Sequence, residues 1–208
     1  MDISFTEETQ RYGPGYGDFV LQSSDGKDFH FPRAILAFTS GFFKDMFDLP
    51  NSSTAEGTPE KPLVLTESSQ LVQMLLDVVN PNAPSPPLVL AKPVDLCRFL
   101  MGLIDPNESP FVYLLEAAHK YRIPCIFRWF EKEAIRAQVN EENREETPAI
   151  LDKCPVFVLA CARQHNLPQI GRLAIRELVK RPSLLLDEDV DLPPKLYRGI
   201  YGWANSEM

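Results

Sequence analysis

A chain of 208 residues with net charge −8 and a pI near 5.0 is poorly suited as a whole to nucleic acid or an anionic membrane, where clustered Lys and Arg must neutralise phosphates. Hydrophobic content of 44%, with 10% aromatic residues, supplies a core for one generous domain. No apolar run approaches the length that crosses a bilayer. The polar, acidic first ten residues predict no signal peptide. Four cysteines without paired spacing (Cys97, Cys125, Cys154 and Cys161) predict free thiols in a reducing, intracellular setting, cytoplasmic or nuclear.

The breakers Gly13, Pro14, Gly15 and Gly17 mark residues 1–15 as a flexible N-terminal arm. Phe19 and Leu21 then alternate with Val20 and Gln22, and Phe29 and Phe31 flank His30, so two strands are expected. Asp25-Gly26 between them predicts a two-residue turn of the primed type. Pro32 stops the ladder. Ala34, Ile35, Leu36 and Phe38 are dense enough to predict a buried helix, and Ser40 is placed to cap the next one, with Phe42, Phe43, Met46 and Phe47 on its apolar face. Residues 51–62 read as a loop and Leu63-Val64-Leu65 as a short buried strand. Hydroxyls in residues 66–69 are candidate caps for a helix carrying Leu71, Leu75, Val78 and Val79, which Asn80-Pro81 ends.

Leu96, Phe99, Leu100, Leu103 and Ile104 fall on one helical face in a stretch, 88–109, that reads as an inserted helix. Ser109-Pro110 and Pro124 open two further helices. Leu115, Ala118, Tyr121, Ile123, Pro124, Ile126 and Arg128 then recur, in the same order, as Leu159, Ala162, His165, Leu167, Pro168, Ile170 and Arg172. This reads either as two related helical hairpins or as the chance likeness of any two hairpins with proline at the second N-terminus. The charged residues 140–147 are the best candidate linker. Residues 183–208, with an acidic run and Pro193-Pro194, read as a tail.

The opening strands, followed by Arg33-Ala34-Ile35-Leu36 and by Ser40, Phe43, Met46 and Phe47, resemble the start of a BTB/POZ domain, most closely the variety found in many fungal proteins. Asp18 before the first strand and Ala117-Ala118-His119-Lys120-Tyr121 fit the same pattern; Pro32 stands where the family usually has His. The resemblance implies an α+β fold: a small sheet with a β-hairpin flanked by a cluster of helices, over residues 16–135, followed by a helical hairpin extension at 148–182. It implies a non-enzymatic protein–protein interaction module that self-associates as a homodimer, and the commonest family role, adaptor of a cullin-type ubiquitin ligase, implies cullin as a partner. A transcription-related regulator acting through protein partners is the alternative. In many BTB dimers the positions of Asp18 and Arg33 meet as a charged pair near the two-fold axis. With Ile35 and Phe38, the latter replacing a small residue common in relatives, they form the expected dimer interface.

Chemistry of other kinds is not advertised. His30, His119 and His165 are scattered, and neither a nucleophile elbow nor a phosphate-binding glycine loop is present. Hence no catalytic residue, cofactor, metal or small-molecule substrate is expected. Cys161 and His165 share a helical face but would need two more ligands, and Cys125 at a helix start reads as a structural thiol. Arg128, Lys132 and Arg136 are interleaved with Glu131 and Glu133, which speaks against a DNA recognition helix.

Overall fold

The structure, a computed structural model, describes residues 11–49, 56–86, 110–139 and 146–181. These fall into two compact units. The first holds the described residues up to Pro86 together with 114–126, and the second holds 110–113 and those from Phe127 onward. The architecture is α+β. Eight helices and two small sheets are present among the described residues. The reading of 88–109 as an inserted helix and that of 183–208 as a tail lie outside the described residues.

In the first unit, β1 (Phe19–Gln22) is the central strand of a three-stranded mixed sheet. It pairs antiparallel with β2 (Asp28–Phe31) and parallel with β3 (Leu63–Val64). Phe19, Val20 and Leu21 are all buried, as a central strand covered on both sides requires, while β2 buries only Phe29 and Phe31 and keeps a period of two. The hairpin differs from the expected two-residue primed turn. Ser23 and Lys27 close a three-residue loop, with the Gly26 N–H bonded to the Ser23 carbonyl at 2.9 Å and only Gly26 at positive φ (+82°). A type I turn followed by a left-handed glycine has this form. Asp25 keeps the negative φ of a type I turn, and its carboxylate reaches away from the loop: Oδ1 accepts from the Ser69 N–H at 2.8 Å and Oδ2 from the Ser69 hydroxyl at 2.6 Å. That pair of bonds lowers its pKa to about 2. Asp25 thus caps α3 (Ser69–Val79), whose own N-cap, Ser68, makes no side-chain bond.

Pro32 precedes α1 (Arg33–Thr39), and Ser40 separates it from α2 (Gly41–Asp48). Of the α1 residues expected to be buried, only Leu36 is. Ala34 is exposed, Ile35 half-buried, and Phe38 is 91% exposed. β3 likewise is not buried throughout, since Val64 is 64% exposed and Leu65 follows it into the core. The cap is as expected, for Ser40 Oγ accepts from the Phe43 N–H at 3.1 Å.

Helices α4 (Pro110–Lys120) and α5 (Pro124–Ala134) follow. The second unit adds a two-stranded ladder, β4 (Gln138–Val139) with β5 (Glu146–Thr147), and then α6 (Ile150–Lys153), α7 (Pro155–Gln164) and α8 (Pro168–Lys180). Its core includes Phe157, Cys161, Ile170, Ala174 and Leu178, with Phe111 meeting Phe157 edge-on at 5.5 Å. Arg181 closes α8 onto α6 by donating to the Asp152 carbonyl at 2.7 Å.

The near-repeat of the sequence is also a repeat of backbone. Arg122 (φ +52°) and Asn166 (φ +55°) are the non-glycine residues in the left-handed region among those described, and they are equivalent positions. The Ile123 N–H reaches the Ala118 carbonyl at 2.8 Å, and the Leu167 N–H reaches Ala162 at 2.7 Å. Both are the six-residue closure of a Schellman-type helix end, and proline opens the next helix in each copy. Burial repeats as well: Ile126, Phe130 and Ala134 on α5 match Ile170, Ala174 and Leu178 on α8. Of the two readings of the repeated residues, these shared bonds support related hairpins. Because asparagine tolerates the left-handed region and alanine does not, Asn166→Ala is expected to destabilise by about 1 kcal/mol while Asn166→Gly is neutral or slightly stabilising. Chemical denaturation of the two variants checks this ordering.

Candidate protein-interaction surface

The four residues expected at an interface all lie at the start of α1 or on it. Asp18 and Arg33 are brought together, but by a backbone bond: Asp18 Oδ1 accepts from the Arg33 N–H at 2.8 Å. Pro32 has no side chain that can cap a helix, so the carboxylate of Asp18, arriving from the other end of the hairpin, satisfies an orphan donor of α1 in its place. The Arg33 guanidinium lies over the Phe47 ring, 4.2 Å from its centroid. Ile35 is half-buried, and two residues beyond Leu36 the Phe38 ring stands in solvent. An aromatic ring so exposed on a helix anchored at its start is the apolar feature of this face.

What holds that face still is an aromatic stack beneath it. Phe47 meets Phe19 edge-on at 5.0 Å and lies near-parallel to Phe43 at 6.1 Å. Phe43 in turn stacks on Tyr121 at 5.7 Å and 14°. The helix junction is tied to the end of α4 by polar bonds as well. The Ser40 hydroxyl donates to the Tyr121 carbonyl at 2.6 Å, the Gly41 N–H donates to the Arg122 carbonyl at 3.0 Å, and Arg122 Nη2 donates to the Gly41 carbonyl at 2.8 Å and to Asp45 at 2.6 Å. The left-handed turn at Arg122 is therefore the receptor for the N-terminus of α2.

A second anchor is the half-buried carboxylate of Glu67. It accepts from Lys120 Nζ at 2.8 Å and from the Tyr121 hydroxyl in a short bond. Burial alone would raise its pKa, but the bonds from Lys120 and Tyr121 outweigh it and the carboxyl sits below its ordinary value. Burial, reinforced by the adjacent Glu67 charge, drives the Tyr121 phenol the other way, well above its usual range.

The N-terminal segment contributes a contact that composition gave no sign of. Tyr12 is 1% exposed; its carbonyl accepts from the His30 N–H at 2.8 Å on the outer edge of β2, and its hydroxyl donates to Asp77 at 2.6 Å. Asp77 also pairs with Arg11 at 2.8 Å, and Asn80 donates to the Tyr16 hydroxyl at 2.6 Å. An edge strand covered in this way is shielded from pairing with another chain. The isolated tyrosines among glycines were the only available signal.

The remaining candidates do not converge. Cys161 is fully buried, which pushes its thiol well above the usual range and suits a structural role. The His165 ring lies 5.7 Å from that of Phe127, and no group of three metal-ligating side chains occurs among the described residues. Cys125, as expected, lies in the first turn of a helix and is half-buried. Arg128, Lys132 and Arg136 are exposed, whereas Trp129, Phe130 and Glu133 are buried. Among the described residues no helix is long and apolar enough to cross a membrane.

No curated protein matches the chain. Residues 8–79, about a third of the chain, match the BTB/POZ domain family. The matched segment runs through the three strands and α1 to α3, the part of the fold that carries Asp18, Arg33, Ile35 and Phe38. The three-stranded mixed sheet and its helices form an α+β fold consistent with a BTB/POZ domain, a protein–protein interaction module.

Proposed function

We propose that this protein is a non-enzymatic interaction module that self-associates through α1, with Phe38 as the apolar anchor and Arg33 and Ile35 beside it. The observation that carries this reading is the 91% exposure of Phe38 on a helix whose N-terminus is fixed by Asp18 and whose base is an aromatic stack. Burying such a ring is worth roughly 1.5–3 kcal/mol, so a symmetric contact that buries one from each protomer loses more than about tenfold in affinity when it is removed. Light scattering over a concentration series, on the wild type, Phe38→Asp and Arg33→Glu, tests it. A wild-type dimer weakened by both substitutions is expected; a wild-type monomer at every concentration would sink the reading.

Within the same proposal, residues 16–135 form the BTB-like domain and 148–182 an extension suited to a longer interface. The opening motif allies it with the fungal variety of the family. The adaptor role in a cullin-type ubiquitin ligase is the finer form of the proposal. Its test is direct binding of purified cullin N-terminal domain, for which retention by the wild type is expected and absence of retention counts against the adaptor role alone.

A further inference from the structure

The repeated hairpins carry a repeated charge pattern, independent of the α1 face. On α5 and just past its end, Arg128, Lys132 and Arg136 are spaced one turn apart and exposed. At the equivalent positions on α8 stand Arg172, Arg176 and Lys180, also exposed. An acid recurs at the equivalent position too. Glu133 bonds Arg136 at 3.4 Å, and Glu177 bonds Lys180 at 2.6 Å, so in both copies the last cation is paired with an acid three residues before it. Among the described residues no carboxylate pairs with Arg128, Lys132, Arg172 or Arg176, although the chain as a whole carries a net charge of −8. Each second helix therefore shows a pair of exposed cations one turn apart, about 6 Å, on the side opposite its buried stripe and without a carboxylate partner among the described residues.

We infer that these two matching stripes dock acidic polypeptide, in the form of Asp/Glu-rich segments of a partner protein. A carboxylate-bearing helix offers acids at the same one-turn spacing, and guanidinium groups take carboxylates in two-point bonds. The acidic balance of the chain steers such a choice. A long nucleic-acid duplex would extend past the stripe along a chain whose net charge is −8, whereas a peptide need touch only the stripe. The repeat supplies two such strips, so a partner with two acidic segments gains by linkage.

The test uses the full chain and a fluorescein-labelled poly-glutamate peptide of about 15 residues, read by anisotropy at roughly 50 mM salt, where surface charge is weakly screened. The wild type is expected to bind, and Arg172→Glu/Arg176→Glu and Arg128→Glu/Lys132→Glu are each expected to weaken binding by about tenfold or more. Lys61→Glu, an exposed cation in the other unit, should leave it unchanged. Thermal melts report folding. If a charge-reversed variant melts early, Arg172→Gln/Arg176→Gln replaces it, with a loss of about threefold expected. Absence of peptide binding, equal weakening by Lys61→Glu, or unchanged affinity in both paired variants would overturn the inference. So would tighter binding of a DNA duplex of similar length, which would assign the stripes to nucleic acid instead.

Discussion

Gly17→Ala is expected to unfold the first unit or to weaken it by about 3 kcal/mol or more, despite adding a single methyl group. A Cβ at Gly17 would sit 2.1 Å from the Phe31 carbonyl carbon and 2.4 Å from the Pro32 nitrogen. Both atoms are backbone, at the end of β2 where Phe31 is fully buried. They cannot swing aside as a flexible side chain could, so relief requires moving the strand end or the start of α1. Ordinary overpacking costs about 1–3 kcal/mol, and a clash with fixed backbone belongs above that range. Gly15 is the comparison. It has φ +88°, but a methyl group added there would meet nothing within 4 Å, so Gly15→Ala should cost only the left-handed penalty of about 1–2 kcal/mol. Urea titration followed by circular dichroism separates the two. Equal midpoints for Gly17→Ala and the wild type would show that the hairpin and α1 do not approach each other as closely as these distances require.

The second large effect is expected at Tyr121, which joins the aromatic stack to the Glu67 anchor. Tyr121→Ala removes the ring that stacks on Phe43 and should destabilise by about 3–5 kcal/mol. Tyr121→Phe keeps the ring and removes only the bond to a carboxylate, for about 1.5–3 kcal/mol. The two variants divide the residue's contribution between packing and charge. Their pH dependence adds a check with a fixed sign. Because the Glu67 carboxyl lies below its ordinary 4.5 when folded, its charged form favours the native state. That contribution is complete above the unfolded pKa and is lost as pH falls through the folded one. Glu67→Gln should therefore flatten the acid limb of the stability profile, and Tyr121→Phe should shallow it. An acid limb unchanged by Glu67→Gln would mean that the carboxylate's bonds give the native state no advantage.

The residues that made the fold legible were those whose job is local. Pro32 ended a strand, Ser40 capped α2, Asn80 ended α3, and the period of two in β2 gave the buried Phe29 and Phe31. The near-repeat was legible for the same reason, because a left-handed helix end followed by proline is a short-range device. What escaped was long-range. Asp25 looked like half of a primed turn, and nothing nearby indicated that its carboxylate serves Ser69, which lies far along the chain. Tyr12 looked like a stray aromatic among glycines, yet it closes the edge of β2. Phe38 carried an apolar pattern that suggested burial, and only the packing of α1, with Leu36 inward, shows the ring turned out. For the candidate interface, the resemblance set Asp18 and Arg33 together as a charged pair near a two-fold axis, and the structure joins them within one chain instead. The resemblance did not reveal that the pairing runs through the backbone N–H, an interaction that any residue but proline at position 33 would keep.

The bond from Asp25 to the first turn of α3 ties the time scale of one element to that of another. The Ser69 amide, at the first position of α3, is held by Asp25 and by no carbonyl of its own helix, so it exchanges its hydrogen with solvent when the hairpin tip and the first turn separate, and in this corner the two elements open as one event. Exchange at Ser69 should then follow exchange at Gly26, whose amide closes the same tip, more closely than it follows residues further along its own helix.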